Sequence, residues 1–196
     1  MHMASTTTPA CRPACGQTLI ELIAVMGIMS VVLLLALPRA EPMRPPLVDA
    51  AVGAVARALR FAQADALRTG SYRVVDIDAS AATVRVYGLN MTPTPPIEDI
   101  ANPVMHPVDK KRYDLFLRDA YAGAGISISA SFAYSDGTTV TQVTFGSDGV
   151  PVKLNGPTAA DIKPLNATGV IQVAIDTFSR SLNVDVDSGR VTLLKS

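Results

Sequence analysis

Gly16-Gln17-Thr18-Leu19-Ile20-Glu21 runs directly into Leu22 to Leu37, and this junction decides how the rest of the 196-residue chain is read. From Leu19 to Leu37, every residue except Glu21 and Ser30 is Leu, Ile, Val, Met, Ala or Gly. As a helix the run is roughly 28 Å long, near the hydrocarbon thickness of a bilayer, so the sequence predicts a segment able to span. Glu21 stands near its start, where a carboxylate in apolar surroundings costs roughly 2 to 3 kcal/mol at mid-membrane and less near the boundary. Two readings stay open for it: a tolerated snorkelling charge, or a docking charge that awaits a cation.

These residues resemble the class III signal of type IV prepilins and type II secretion pseudopilins: Gly-Gln-Thr-Leu-Ile-Glu-Leu followed by an apolar helix. The resemblance implies a cut by a prepilin peptidase between Gly16 and Gln17, methylation of the new amino terminus at Gln17, and Glu21 as the fifth mature residue. In the family that glutamate neutralises the amino terminus of a neighbouring subunit. The pairing is physically reasonable, because a buried carboxylate and a buried ammonium are costly alone and tolerable together. Pro38 falls where many pilins carry a helix-breaking proline. Gln17 departs from the usual phenylalanine at the first mature position, which bears on methylation more than on cleavage.

Rival amino-terminal signals fit less well. A secretory signal would be cut after its apolar core at a small-x-small site, and Pro38-Arg39-Ala40 supplies proline and arginine there. A lipoprotein signal needs its cysteine after the apolar run, whereas Cys11 and Cys15 precede it. A plain uncleaved anchor is what remains if the glycine site is a coincidence.

Composition agrees with a small extracytoplasmic protein. The formal net charge is zero, with 17 basic and 17 acidic residues, which argues against broad electrostatic binding of nucleic acid or anionic lipid. The proposed leader, residues 1–16, holds both cysteines, so no disulfide or thiolate metal site is expected in the mature chain. Arg12 gives that leader a weak positive-inside bias, which places the body in the periplasm and the anchor, 17–38, in the bacterial inner membrane as a single pass.

Beyond Pro38, residues 39–46 contain Pro42, Pro45 and Pro46 and read as a proline-rich hinge. Residues 47–69 then repeat apolar side chains at helical spacing, through Leu47 or Val48, Ala51 or Val52, Val55, Leu59, Ala62 and Ala66, and Gly70 provides a stop. This amphipathic helix is expected to back a sheet. Strands are expected at 72–77, 83–87, 112–117, 126–134, 138–145, 150–154, 170–175, 182–186 and 191–194. The turns Ser135-Asp136-Gly137, Ser147-Asp148-Gly149 and Asp187-Ser188-Gly189 punctuate them. The sequence thus predicts an α+β fold, a hydrophobic helix plus an amphipathic helix on an antiparallel β-sheet, with 47–196 as the globular domain. Residues 88–109 and 155–168 read as long loops, either partner-binding or mobile surface.

The body strengthens the resemblance. Ala58 to Gly70, Val143 to Gly149 and Asp187 to Val191 resemble passages of the minor pseudopilin H and of FimT-type minor pilins. The implied function is that of a type II secretion minor pseudopilin, a subunit of the periplasmic pseudopilus. The implied partners are the prepilin peptidase/methyltransferase, the inner membrane, and other pseudopilins or pilins. The alternative is a FimT/FimU-type minor pilin that primes a type IV pilus or serves DNA uptake, for which nucleic acid would be a partner. Cations near the carboxyl end, only Arg190 and Lys195 past Arg180, support that poorly.

Catalytic chemistry is not expected. His106 is the one imidazole outside the leader, and no cysteine nucleophile or histidine cluster accompanies it. Asp185, Asp187 and Ser188 lack the glycine and glutamate spacing of a calcium loop and read as a hairpin turn. Gly123-Ala124-Gly125 leads towards a strand rather than a helix, which is wrong for a phosphate cradle. The sequons at Asn90 and Asn166 carry little weight in a bacterial chain. No cofactor and no metal are expected.

Overall fold

The computed structural model describes residues 19–36, 44–122 and 125–194, and the chain divides into two units, Met1–Pro42 and Met43–Ser196. The first holds α1 (Leu19–Ala36). Its one hydroxyl is satisfied locally, since Ser30 Oγ donates to the Met26 carbonyl at 2.8 Å.

The second unit is built on α2 (Arg44–Thr69). The helix begins three residues before the expected start at 47, so Pro45 and Pro46 belong to its first turn, where a missing N–H costs no helical hydrogen bond. The expected hinge therefore ends before Arg44, and residues 37–43 lie outside the described ones. Gly70, at φ +64°, terminates the helix in the left-handed region.

Twelve strands follow among the described residues. One antiparallel sheet runs β3-β2-β1-β7-β8-β9, with β4 also on β2; its strands are β1 (Arg73–Asp78), β2 (Thr83–Asn90), β3 (Ile97–Glu98), β4 (Tyr113–Phe116), β7 (Val143–Phe145), β8 (Pro151–Leu154) and β9 (Ile162–Pro164). The other runs β12-β11-β10-β5-β6, from β5 (Ile126–Ala133), β6 (Thr139–Val140), β10 (Gly169–Ile175), β11 (Phe178–Val184) and β12 (Val191–Leu194). The α+β reading holds, but the single expected sheet is two. The reason is visible on α2. Ala51, Val52, Val55, Ala58 and Leu59 have no exposed surface and Ala54 and Ala56 nearly none, so the buried face reaches round more than half of the helix, leaving Arg57 and Arg60 exposed, and one sheet face cannot cover it.

The split also explains the smaller departures. The run 138–145 breaks at Thr141-Gln142 because β6 pairs with β5 in one sheet and β7 with β1 in the other. Strand β11 begins at Phe178, four residues before the expected strand, to form a hairpin with β10 in which Ile175 faces Phe178. Strands β3 and β9 lie inside the two expected loops.

Candidate functional site

Of the residues singled out in the amino-terminal signal, Gly16, Gln17 and Pro38 lie outside the described residues. Glu21 sits in the first turn of α1, where a carboxylate complements the partial positive charge of a helix N-terminus. It makes no hydrogen bond or ion pair with any described residue. The apolar side chains around it are equally unpartnered: Leu19 is 76% exposed, Met26 65%, and even Val25 49%. A continuous apolar surface of this kind marks a segment that meets lipid or other protein. No helix among the described residues is long and apolar enough to cross a membrane, and the described side chains of α1 stop at Val32 while the apolar run of the sequence goes on to Leu37.

The body has its own functional geometry in the way its turns are fastened to α2. Gln63 Nε2 donates to the Gly149 carbonyl at 3.0 Å and to the Ser188 carbonyl at 2.8 Å. Gly149 closes the β7–β8 turn of one sheet, and Ser188 belongs to the β11–β12 turn of the other. One side chain of the helix thus joins both sheets. Leu67 packs against Gly149, and Gly189 approaches both Gly149 and Gln63. The turn at Asp185 is an ordinary hairpin closure, with Asp185 Oδ1 accepting from Ser188 N at 2.9 Å and from Ser188 Oγ at 2.7 Å.

A second fastening closes the passage from helix to sheet. Asp65, only 8% exposed, accepts from Arg73 Nε and from Arg68, each at 2.6 Å. Burial pushes its carboxyl up, but the hydrogen bonds and charges of Arg73 and Arg68 outweigh that and hold it below the usual range. Arg73 also donates to Thr69 Oγ1 at 3.1 Å, so the last turn of α2 and the first residue of β1 are tied together.

The proline-rich segment within 88–109, with Pro93, Pro95, Pro96, Pro103 and Pro107, is held down as well. His106 Nδ1 stands 3.0 Å from Asp109 Oδ1, and its ring meets Tyr113 edge-on at 4.8 Å. Tyr113 in turn stacks on Phe61 of α2 at 4.9 Å. On the outer face of the same sheet, Glu98 takes Arg85 at 2.9 Å and also Arg112, while Asp114 takes Arg85 at 3.4 Å. Beside them, burial pushes the Asp76 carboxyl up despite the pull of Arg85, and burial with the Asp76 and Glu98 charges pushes the Tyr87 phenol to about 12. These groups neutralise one another and fix a loop; the residues are arranged for structure.

Sequence reasoning did not single out Gln63, Asp65 or Arg73. The available signal was polarity out of place: Gln63 and Asp65 interrupt an alanine-rich helical face whose neighbours Ala62 and Ala66 are fully buried. His106 was noted only as a lone imidazole.

Residues 11–37 match the prokaryotic N-terminal methylation motif. No curated protein matches the sequence. Among solved structures, the minor pseudopilin EpsH of the Vibrio cholerae type II secretion system is similar at TM-score 0.50 and 11% identity, covering 76% of this chain and 97% of that one. The type IV minor pilin FimU of Pseudomonas aeruginosa is similar at TM-score 0.48 and 13% identity, covering 76% and 88%. At such identities the likeness is one of fold: the body is pilin-like.

Proposed function

We propose that this chain, type IV pilin-like in its amino-terminal motif and its fold, is a minor pseudopilin of a type II secretion system, a structural subunit of the periplasmic pseudopilus that drives protein export. The observation that carries the reading is α1, whose described apolar side chains, from Leu19 to Val32, are exposed all round and which bears one carboxylate, Glu21, near its start. Lipid covers such a surface in the unassembled subunit, and neighbouring helices cover it in a filament. The run from Leu19 to Leu37 anchors the chain in the inner membrane, with the body in the periplasm. Prepilin peptidase cuts between Gly16 and Gln17 and methylates Gln17, and the new amino terminus is the cation that Glu21 of an adjacent subunit meets.

The choice of a pseudopilin over a FimT/FimU-type pilin is supported by the scarcity of cations near the carboxyl end, since Ala58–Gly70 resembles both. Arg180, a candidate for phosphate contact, is spent on Asp49 at 2.9 Å.

Mass spectrometry of the chain purified from its host membrane tests the processing: it should begin at Gln17 and carry a methyl group. A chain that begins at Met1 overturns the reading. Replacing Gly16 with a bulky residue should leave only precursor. Loss of the gene should block export of secreted enzymes while type IV pilus functions persist; the reverse phenotype, with salt-sensitive DNA binding, would assign the chain to a pilus.

A further inference from the structure

Successive residues of a strand point to opposite faces of its sheet, and in β1 and β7 both faces are buried. Val75, Val143 and Phe145 face the core and are fully enclosed. Val74 and Thr144, direct partners across the two strands, point to the other face of the seven-stranded sheet and are still only 2% and 5% exposed. A cavity of about 260 Å³ lies over them, and Tyr87, Ile97 of β3 and Val140 of β6 also line it. That volume falls just under the usual range of small-molecule sites, which suits a ligand of one ring.

The charges at this cavity are already committed. Lys153 Nζ donates to Asp136 Oδ2 at 2.9 Å and to Thr138 Oγ1 at 2.8 Å, and Glu98 accepts from Arg85 and Arg112. What stays open is uncharged: the Thr144 hydroxyl, the Tyr87 phenol and the Gln142 side-chain amide line the cavity, and none makes a hydrogen bond with a described residue. Thr144 matters most, because a hydroxyl so enclosed is costly to leave without a partner. The Tyr87 phenol, pushed to about 12 by burial and by the Asp76 and Glu98 charges, keeps its proton and donates.

These groups select a ligand by elimination. A charged ligand finds no free counter-charge. An apolar side chain leaves the hydroxyl, the phenol and the amide unpaired. An added peptide strand finds no main chain to pair with over the buried floor, because β1, β7 and β8 are each paired on both sides. A ring with hydroxyls at its edge and C–H groups on its faces satisfies both the polar groups and the aliphatic side chains of Val74, Leu89 and Leu154. We propose that this cavity binds one unit of a neutral saccharide, held by the Tyr87, Gln142 and Thr144 side chains. The inference goes beyond the filament reading and rests on no part of it.

The test titrates the full chain, labelled with nitrogen-15 and held in a detergent without a sugar head group, with methyl glucoside, N-acetylglucosamine and glucuronate. At least one of the two neutral sugars should shift the amide signals of Val74, Tyr87 and Thr144 saturably, with half-saturation below about 10 mM, and glucuronate should bind at least about tenfold more weakly. Thr144→Val should weaken binding about three- to tenfold and leave the melting temperature unchanged or higher, since the hydroxyl has no protein partner to lose. Tyr87→Phe, which keeps the ring, should weaken binding by a similar factor. No saturation by either neutral sugar up to about 0.1 M, equal binding of glucuronate, or binding indifferent to both substitutions overturns the proposal. So does a lower melting temperature for Thr144→Val, which would reveal a structural partner for the hydroxyl. Occupation of the same residues by an uncharged valine-threonine peptide and by neither sugar would make the cavity a peptide site and overturn it as well. None of these outcomes bears on cleavage after Gly16, so the two readings fail separately.

Discussion

At Gly189 the backbone stands at φ +65°, and a Cβ there would lie 2.5 Å from the Gly149 carbonyl and 2.7 Å from Gln63 Nε2. Gly137 has a similar φ, +78°, with nothing within 4 Å of its would-be Cβ. The two separate conformation from crowding. Gly137→Ala should cost about 1 kcal/mol, the left-handed penalty alone, whereas Gly189→Ala should cost roughly 2 to 4 kcal/mol because backbone must also move. Urea unfolding of both variants checks the difference. Asp65 makes a second residue-level prediction. Its folded-state carboxyl lies below the usual 3.8, so it adds stability at pH values above the unfolded value, and that stability is lost as pH falls through the lower folded value. Asp65→Ala should cost roughly 3 kcal/mol at neutral pH, mostly by leaving Arg73 unpaired, and should flatten the acid limb of the stability curve. An acid limb identical to that of the parent would remove Asp65 from the account.

At the scale of elements, the two helices show how apolar residues serve different ends, α1 being apolar nearly throughout and α2 interrupted by charge. Most apolar residues of α2 are covered by its own unit, with Leu67 an exposed exception, and Leu59, fully buried, is its largest wholly enclosed side chain. Leu59→Ala should cost about 2 to 5 kcal/mol by transfer and cavity, read by calorimetry on the purified chain. The described side chains of α1, Glu21 among them, are exposed, so Glu21→Ala should leave the stability of the body unchanged. It should permit cleavage but reduce recovery of the subunit in sheared pseudopilus fractions. Wild-type recovery would discard the charge-pairing role of Glu21.

At the scale of the whole body, the two sheets are joined through α2. Gln63 reaches a turn of each, so Gln63→Ala should raise amide exchange in 146–149 and 185–189 together while β5 and β10 keep their protection. Acceleration in one turn only would show that the sheets are joined elsewhere. Much of this body was legible in advance. Helix α2 was readable because Val48, Val52, Val55 and Leu59 keep the helical period, and β12 because its run of Val and Leu follows a turn triplet. The second sheet was not, since strands of either sheet show the same alternation. Neither was the grip on the proline-rich segment, because the His106, Tyr113 and Phe61 rings come from positions far apart along the chain.

By itself the sequence determined what depends on neighbours along the chain: the apolar helix with its single carboxylate, the cleavage motif before it, the amphipathic spine and the turn glycines. These follow from local periodicity and from the conformations each residue permits. Only the tertiary structure decided that the spine is shared by two sheets and that Gln63 and Asp65 are fastenings. Those outcomes depend on which distant strands pair, and pairing is settled by the packing of the whole core.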